Sequence, residues 1–147
     1  MLEHYDNDTL LAGSREGQLF LLTAEGARRW HTNIDAQLAQ ATLYTGLRLQ
    51  NGDFALGTTQ NGVFIITAQG KLKSHINTEL GLVDQNVRAL YQDHQQGLWL
   101  ALDHGLSRID LASAISYYNS ASGLQGNVLA LHQHQNTLYA GTSLGLY

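Results

Sequence analysis

The sequence predicts an all-β protein built from repeats of one small antiparallel sheet. Three observations predict it: a layout that recurs about every 42 residues, apolar runs only five or six residues long, and Gly or Asn turns between those runs. The recurring segments are TLLAGSREGQLFLLT (9–23), DFALGTTQNGVFIIT (53–67), GLWLALDHGLSRIDL (97–111) and TLYAGTSLGLY (137–147). Each holds an apolar run, a small residue, a few polar or small residues, a glycine and a second apolar run. The small residues are Gly13, Gly57, Ala101 and Gly141; the glycines that follow are Gly17, Gly62, Gly105 and Gly145. A two-helix repeat of this length would need apolar positions at 3.6 spacing over ten or more residues. The runs are too short for that, so the period fits the four-stranded blade of a β-propeller, with helix content near zero.

Taken in order, the first blade covers about 1–33 and begins inside its first strand, near LEHYD. The second covers about 41–77, with strands at LYTGLRLQ (43–50), FALGT, VFIIT and KLKSHIN (71–77) and an Asn51-Gly52 hairpin turn of the kind that tolerates positive φ. Its middle strands are apolar on both faces, as expected of a sheet sandwiched between neighbours. Its last strand sets Leu72, Ser74 and Ile76 against Lys71, Lys73 and His75, which suits an outer edge guarded by charge. The third blade covers about 87–119, with strands VRALYQD, LWLAL, LSRID and ISYYN (115–119). The fourth runs over 127–147 and stops inside its third strand. The chain therefore holds about three and a half blades. Propellers close with roughly four to eight, so the expectation is a piece of a larger ring or a protomer that closes by association.

Composition removes several classes. In 147 residues, eight Lys and Arg against twelve Asp and Glu give a net charge of −4, and charged residues are only 14%. No basic stripe is present to meet nucleic acid or an anionic membrane. Absence of cysteine excludes a disulfide framework, an iron–sulfur cluster, a thiolate zinc site and a cysteine nucleophile. Apolar runs such as VFII and LWLAL fall far below the roughly 18 residues of a membrane helix, so direct membrane insertion is not expected. The opening MLEHYDND lacks a basic stretch followed by an apolar one, so no export signal is visible.

The segment NVRALYQDHQQGLWLALDHGLSRID (86–110) resembles the repeat of the two-component regulator propeller family. That repeat reads Gly-Leu, Asn-x-Val, a strand, Asp, a Gly turn, Leu-Trp-Ile-Gly-Thr and Gly-Leu. Gly81-Leu82, Asn86, Val87, Asp93, Gly97, Leu98, Trp99 and Gly105-Leu106 carry the likeness, and Ala101-Leu102 departs from Gly-Thr. The last repeat restores Gly141-Thr142 and Gly145-Leu146 but has Tyr139 for Trp and His134 for Asp. The first two repeats match only around Gly13-Ser14 and Gly57-Thr58. The resemblance implies a ring of about seven blades in the periplasmic part of a bacterial membrane receptor, with a histidine kinase, a diguanylate cyclase or a DNA-binding regulator as output module.

Loops on one face of a propeller converge, so varied polar residues at equivalent turns compose a candidate ligand rim. These are Arg15, Glu16, Gln60, Asn61, Asp103 and His104, joined by Asp84 and Gln85 in a connection between blades. Asn86 and Asn127 recur at one repeat position, which favours a turn role. Asp93 is expected to accept N–H groups of its own turn. His132 and His134 share a strand face but lack a third ligand by spacing, so no metal is assigned. Trp99, Tyr139 and Phe54 read as packing between blades before they read as sugar platforms, and Tyr117-Tyr118 as a candidate exposed patch. No nucleophile elbow or phosphate-cradling loop is present.

The expected function is ligand sensing without catalysis or cofactor, the ligand a small molecule such as a sugar, in the periplasm. Its partners would be the remaining blades and the output module. The alternatives are a propeller lyase or hydrolase fragment and a protein-interaction scaffold. Bare sheet faces near Leu10, Leu19 and Leu21, and near Leu146 and Tyr147, predict self-association of the isolated chain.

Overall fold

The computed structural model describes residues 1–111, 123–135 and 137–147. They form four antiparallel sheets in two compact units, Met1–Ala112 and Ser113–Tyr147. In the first unit, β1 (Leu2–His4), β2 (Leu10–Gly13), β3 (Leu19–Thr23) and β4 (Gly26–Arg29) make one sheet in chain order. A second holds β5 (Leu43–Arg48), β6 (Phe54–Thr58), β7 (Val63–Ile66) and β8 (Leu72–Ile76). A third holds β9 (Val87–Gln92), β10 (Gly97–Leu102) and β11 (Gly105–Asp110). The second unit holds β12 (Val128–His134), β13 (Thr137–Thr142) and β14 (Gly145–Leu146). The strand expected at 115–119 and the Tyr117-Tyr118 pair lie outside the described residues.

Strand periodicity explains why the second sheet is buried on both faces. Phe54, Leu56, Phe64 and Ile66 join Leu11, Leu19, Leu21 and Leu43 in one core cluster, so Leu19 and Leu21 do not lie on a bare face as the sequence reading expects: the second sheet packs against them and buries them. The alternate residues Ala55, Val63 and Ile65 join Val87, Leu98, Leu100 and Leu102 in another. A period of two sends successive side chains into opposite cores, so β6 and β7 read as continuous apolar runs. The ring of Phe54 stacks on Tyr5 at 5.7 Å and meets Trp30 edge-on at 6.0 Å, which fixes its role as packing.

The repeated small residues have a steric cause. A Cβ on Gly57 would sit 2.8 Å from Val87 Cγ1, and one on Gly13 would sit 2.5 Å from Leu43 Cδ2. Leu43 and Val87 are the first residues of β5 and β9, so each glycine vacates space for the start of the following sheet. Ala101 lies half-buried in register with Ala89 and Leu106. The second glycine of each repeat turns the chain with positive φ, as at Gly62 (66°) and Gly105 (103°).

The structure departs from the sequence reading at one link and one sheet edge. Helix α1 (Asp35–Gln40) occupies the link between the first two sheets, where the sequence reading places no element. The Thr32 N–H and hydroxyl both donate to Asp35 Oδ1, at 2.9 and 2.7 Å, tying the incoming chain to the first turn much as a capping box does. Ile34 and Leu38 then seat in the first core cluster. At Asn51-Gly52, only Gly52 has positive φ (87°). This agrees with a turn that tolerates positive φ; it spans Leu49 to Gly52 and is closed by the Gly52 N–H on the Leu49 carbonyl at 2.9 Å. Along β8, His75 is no edge guard: its ring stacks on Phe64 with centroids 4.1 Å apart. Lys73, a second of the three guard residues, reaches back to Asp53 Oδ2 at 2.8 Å.

Candidate functional site

The candidate rim is assembled by backbone hydrogen bonds between the turn after each second strand and the link between sheets. Leu43 N–H donates to the Arg15 carbonyl at 3.1 Å, Thr59 N–H to Thr42 at 3.0 Å, and Gly62 N–H to Gln85 at 2.9 Å. In the third sheet, Asp103 N–H donates to the Asn86 carbonyl at 3.2 Å; in the second unit, Ser143 N–H donates to Asn127 at 3.0 Å. The recurrent asparagines thus act through their backbone, and in the first unit loops far apart in sequence share one end of the sheets.

Four of the eight rim residues come together closely. Asp84 accepts the Asn86 N–H on Oδ1 at 2.9 Å, and its Oδ2 lies 2.7 Å from Nδ1 of His104. Gln85 donates to the Thr78 hydroxyl at 2.8 Å. Asp103 is held by Arg88 through two parallel bonds, Nε to Oδ1 at 2.5 Å and Nη2 to Oδ2 at 2.9 Å. Asn61 is engaged within its own sheet, its carbonyl accepting from His75 Nε2 at 2.8 Å. Arg15, Glu16 and Gln60 are exposed, and their side chains make no hydrogen bond or ion pair among the described residues. Arg15 and Glu16 are not drawn into the group around Asp84.

Two residues join this rim that sequence reasoning left out, Arg88 and Tyr44. The Arg88 guanidinium carbon lies 5.1 Å from the centroid of the Tyr44 ring. Both occupy the second position of their strands, β9 and β5, so superposing the repeats would have placed them side by side.

The electrostatics are those of ionised pairs. The Asn86 N–H, then His104, hold the Asp84 carboxyl below the usual carboxylate range; the Arg88 guanidinium does the same for Asp103. The hydrogen bond to Asp84 raises His104 above its ordinary value. Carboxylates kept ionised in this way accept hydrogen bonds and hold cationic partners, and they are poor proton donors near neutral pH.

Asp93, farther along the third sheet, takes the turn role expected of it and more. It accepts the Gln95 and Gly97 N–H groups at 2.9 and 2.8 Å, the Trp99 indole N–H at 2.8 Å and Arg108 Nε at 3.1 Å. The Trp99 bond leads in lowering its pKa to about 2. Trp99 is consequently pinned by its polar edge to its own sheet, with Arg108 over its face at 5.8 Å. His132 and His134 stand opposite Tyr139 and Thr137 in register, and among the described residues no three His, Cys, Asp or Glu side chains gather as a metal site. No helix of the described residues is long and apolar enough to cross a membrane.

Comparison with known proteins bears on the third sheet and on the fold. Residues 81–104 match the family described as two component regulator propeller. No curated protein matches the sequence. Among solved structures, the chain is similar to an extracellular domain described as part of a hybrid two component system of B. thetaiotaomicron. That likeness has 17% identity and a TM-score of 0.52, covering 97% of this chain and 25% of the other. A second such domain from the same organism gives 16% identity and a TM-score of 0.48 over 90% of this chain and 21% of its own. The chain spans about a quarter of the length of the first of these structures. The third of its four small antiparallel sheets carries Asp93 and Trp99 inside the matched residues, and the chain is an all-β, propeller-type protein in which residues 81–104 match the two component regulator propeller family.

Proposed function

We propose that the chain forms part of the extracytoplasmic sensing propeller of a bacterial signalling receptor and binds a small ligand, such as a sugar, without transforming it. The match at residues 81–104 carries this reading, and the gathering of Asp84, Gln85, Asp103 and His104 at the loop end supports it. Ionised carboxylates beside an arginine and an exposed tyrosine offer donors, acceptors and an aromatic face, which suits a hydroxylated ligand better than a phosphorylated one. The periplasm is the matching location. Partners are the remaining blades and the output module of the receptor, and a second copy of the chain when it is isolated.

Titration calorimetry of the chain against a panel of neutral oligosaccharides, repeated on a variant combining Tyr44→Ala and Gln85→Ala, tests the reading. Saturable heat that the variant loses supports it. Heat that the variant retains, no heat with any sugar, or sugar cleavage in the recovered solution overturns it. Sedimentation equilibrium at micromolar concentration tests self-association, and a stable monomer contradicts that part.

A further inference from the structure

The link between the second and third sheets, residues 77–86, has a feature that the repeat does not impose. It begins with a 3₁₀ turn (Thr78–Leu80) capped by the Asn77 side chain on the Glu79 N–H at 3.0 Å. It turns at Gly81 with φ 99° and exposes two apolar residues, Leu80 (49%) and Val83 (67%). Its far end is held on two sides. Gln85 accepts the Gly62 N–H of the second sheet's turn, while Asn86 accepts the Asp103 N–H of the third sheet's turn.

Within that frame, Asp84 divides its oxygens. Oδ1 takes the Asn86 N–H and shapes the link itself, and Oδ2 takes His104 on the neighbouring turn. Aligning repeats on Leu43, Val87 and Val128 puts Gln40 and Gln125 where Asp84 stands. Aligning the turn glycines Gly62, Gly105 and Gly145 puts Asn61 and Leu144 where His104 stands. The fold builds the same turn without an ion pair at those places, so the titratable pair is particular to the third sheet. We propose that Asp84 and His104 form a pH-sensitive latch that holds the 77–86 link against the turn of the third sheet when His104 is protonated and loosens it when His104 is neutral.

The charged groups around His104 favour this assignment. Asp84 faces it from the link and Asp103 from its own turn, and Arg88 of β9 is engaged by Asp103. The two carboxylates raise the affinity of His104 for its proton. The sign follows: a histidine whose folded pKa is raised stabilises the closed link fully below its ordinary value near 6.5, and the gain is lost as pH rises through the folded value.

The test is amide hydrogen exchange on the chain across pH 5 to 9, corrected for intrinsic rates, with the His104 ring followed by NMR. The Leu82 and Asn86 amides, donors to the Asn77 carbonyl and to Asp84, should lose protection several-fold as His104 deprotonates. In His104→Gln the same amides should show no step, and in Asp84→Asn the ring should titrate at lower pH. His104 is exposed, so the His104→Gln fold should be intact, which unchanged protection in β6 and β7 would confirm. Protection that is independent of pH in the parent chain, or a step of equal size in His104→Gln, overturns the proposal.

Discussion

The second sheet and the sheet of the second unit come from the same repeat and differ in how they are stabilised. Every residue of β6 and β7 is buried, whereas in β12 and β13 Leu129 is 73% exposed, Leu131 63% and Leu138 59%. Both sheets have the antiparallel ladder, the small residue and the positive-φ glycine. Strand and turn formation therefore follow from the repeat itself. Burial follows from what lies against each face, and burial supplies most of the free energy.

Truncating a large side chain breaks this contrast most directly. Phe64→Ala should cost about 3–5 kcal/mol by chemical denaturation, because Phe64 is fully buried and carries His75 on its ring. Leu131→Ala, in the exposed sheet, should change stability by no more than about 0.5 kcal/mol. A similar cost at both positions would remove the distinction.

Next in size is the crowding at the small residues. Gly57→Ala should cost roughly 1–3 kcal/mol, since its Cβ would lie 2.6 Å from Thr45 Cγ2 and 2.8 Å from Val87 Cγ1. Ala101→Leu should cost an amount in the same range of about 1–3 kcal/mol. An unchanged midpoint in either variant would show that the small residue is not set by close approach.

Smaller still is the effect of Asp93. Its carboxyl titrates at about 2, below its ordinary value of 3.8. A depressed carboxylate contributes stability that is present above the unfolded value and is lost as pH falls through the folded one. Acid unfolding of the parent chain should steepen between about pH 4 and pH 2, and Asp93→Asn should flatten that part of the curve. Curves that coincide would remove Asp93 as the holder of the Trp99 edge.

Much of this was legible in the sequence because it is local. Glycine positions, strand-length runs and the Asp93 turn are all encoded within a few residues. Helix α1 was missed because six residues give too little periodicity, although Thr32-x-x-Asp35 was its available signal. The tie from Trp99 to Asp93 was hidden by the expectation that an aromatic in a strand packs through its face. The candidate rim was legible only as a set of turns. Which members meet depends on links such as His104 to Asp84, 20 residues apart, and on Arg88 reaching Asp103 across 15. No local pattern specifies those pairs, and only superposition of the repeats brings their loops to one end.

Packing between neighbouring sheets, and not the repeat pattern alone, holds the buried sheets of the first unit. Native-state hydrogen exchange measured strand by strand on the intact chain distinguishes the two cases. Amides of β6 and β7 should exchange only through the largest opening of the molecule, and those of β12 and β13 through a much smaller one. Equal protection in the two sheets would contradict the claim.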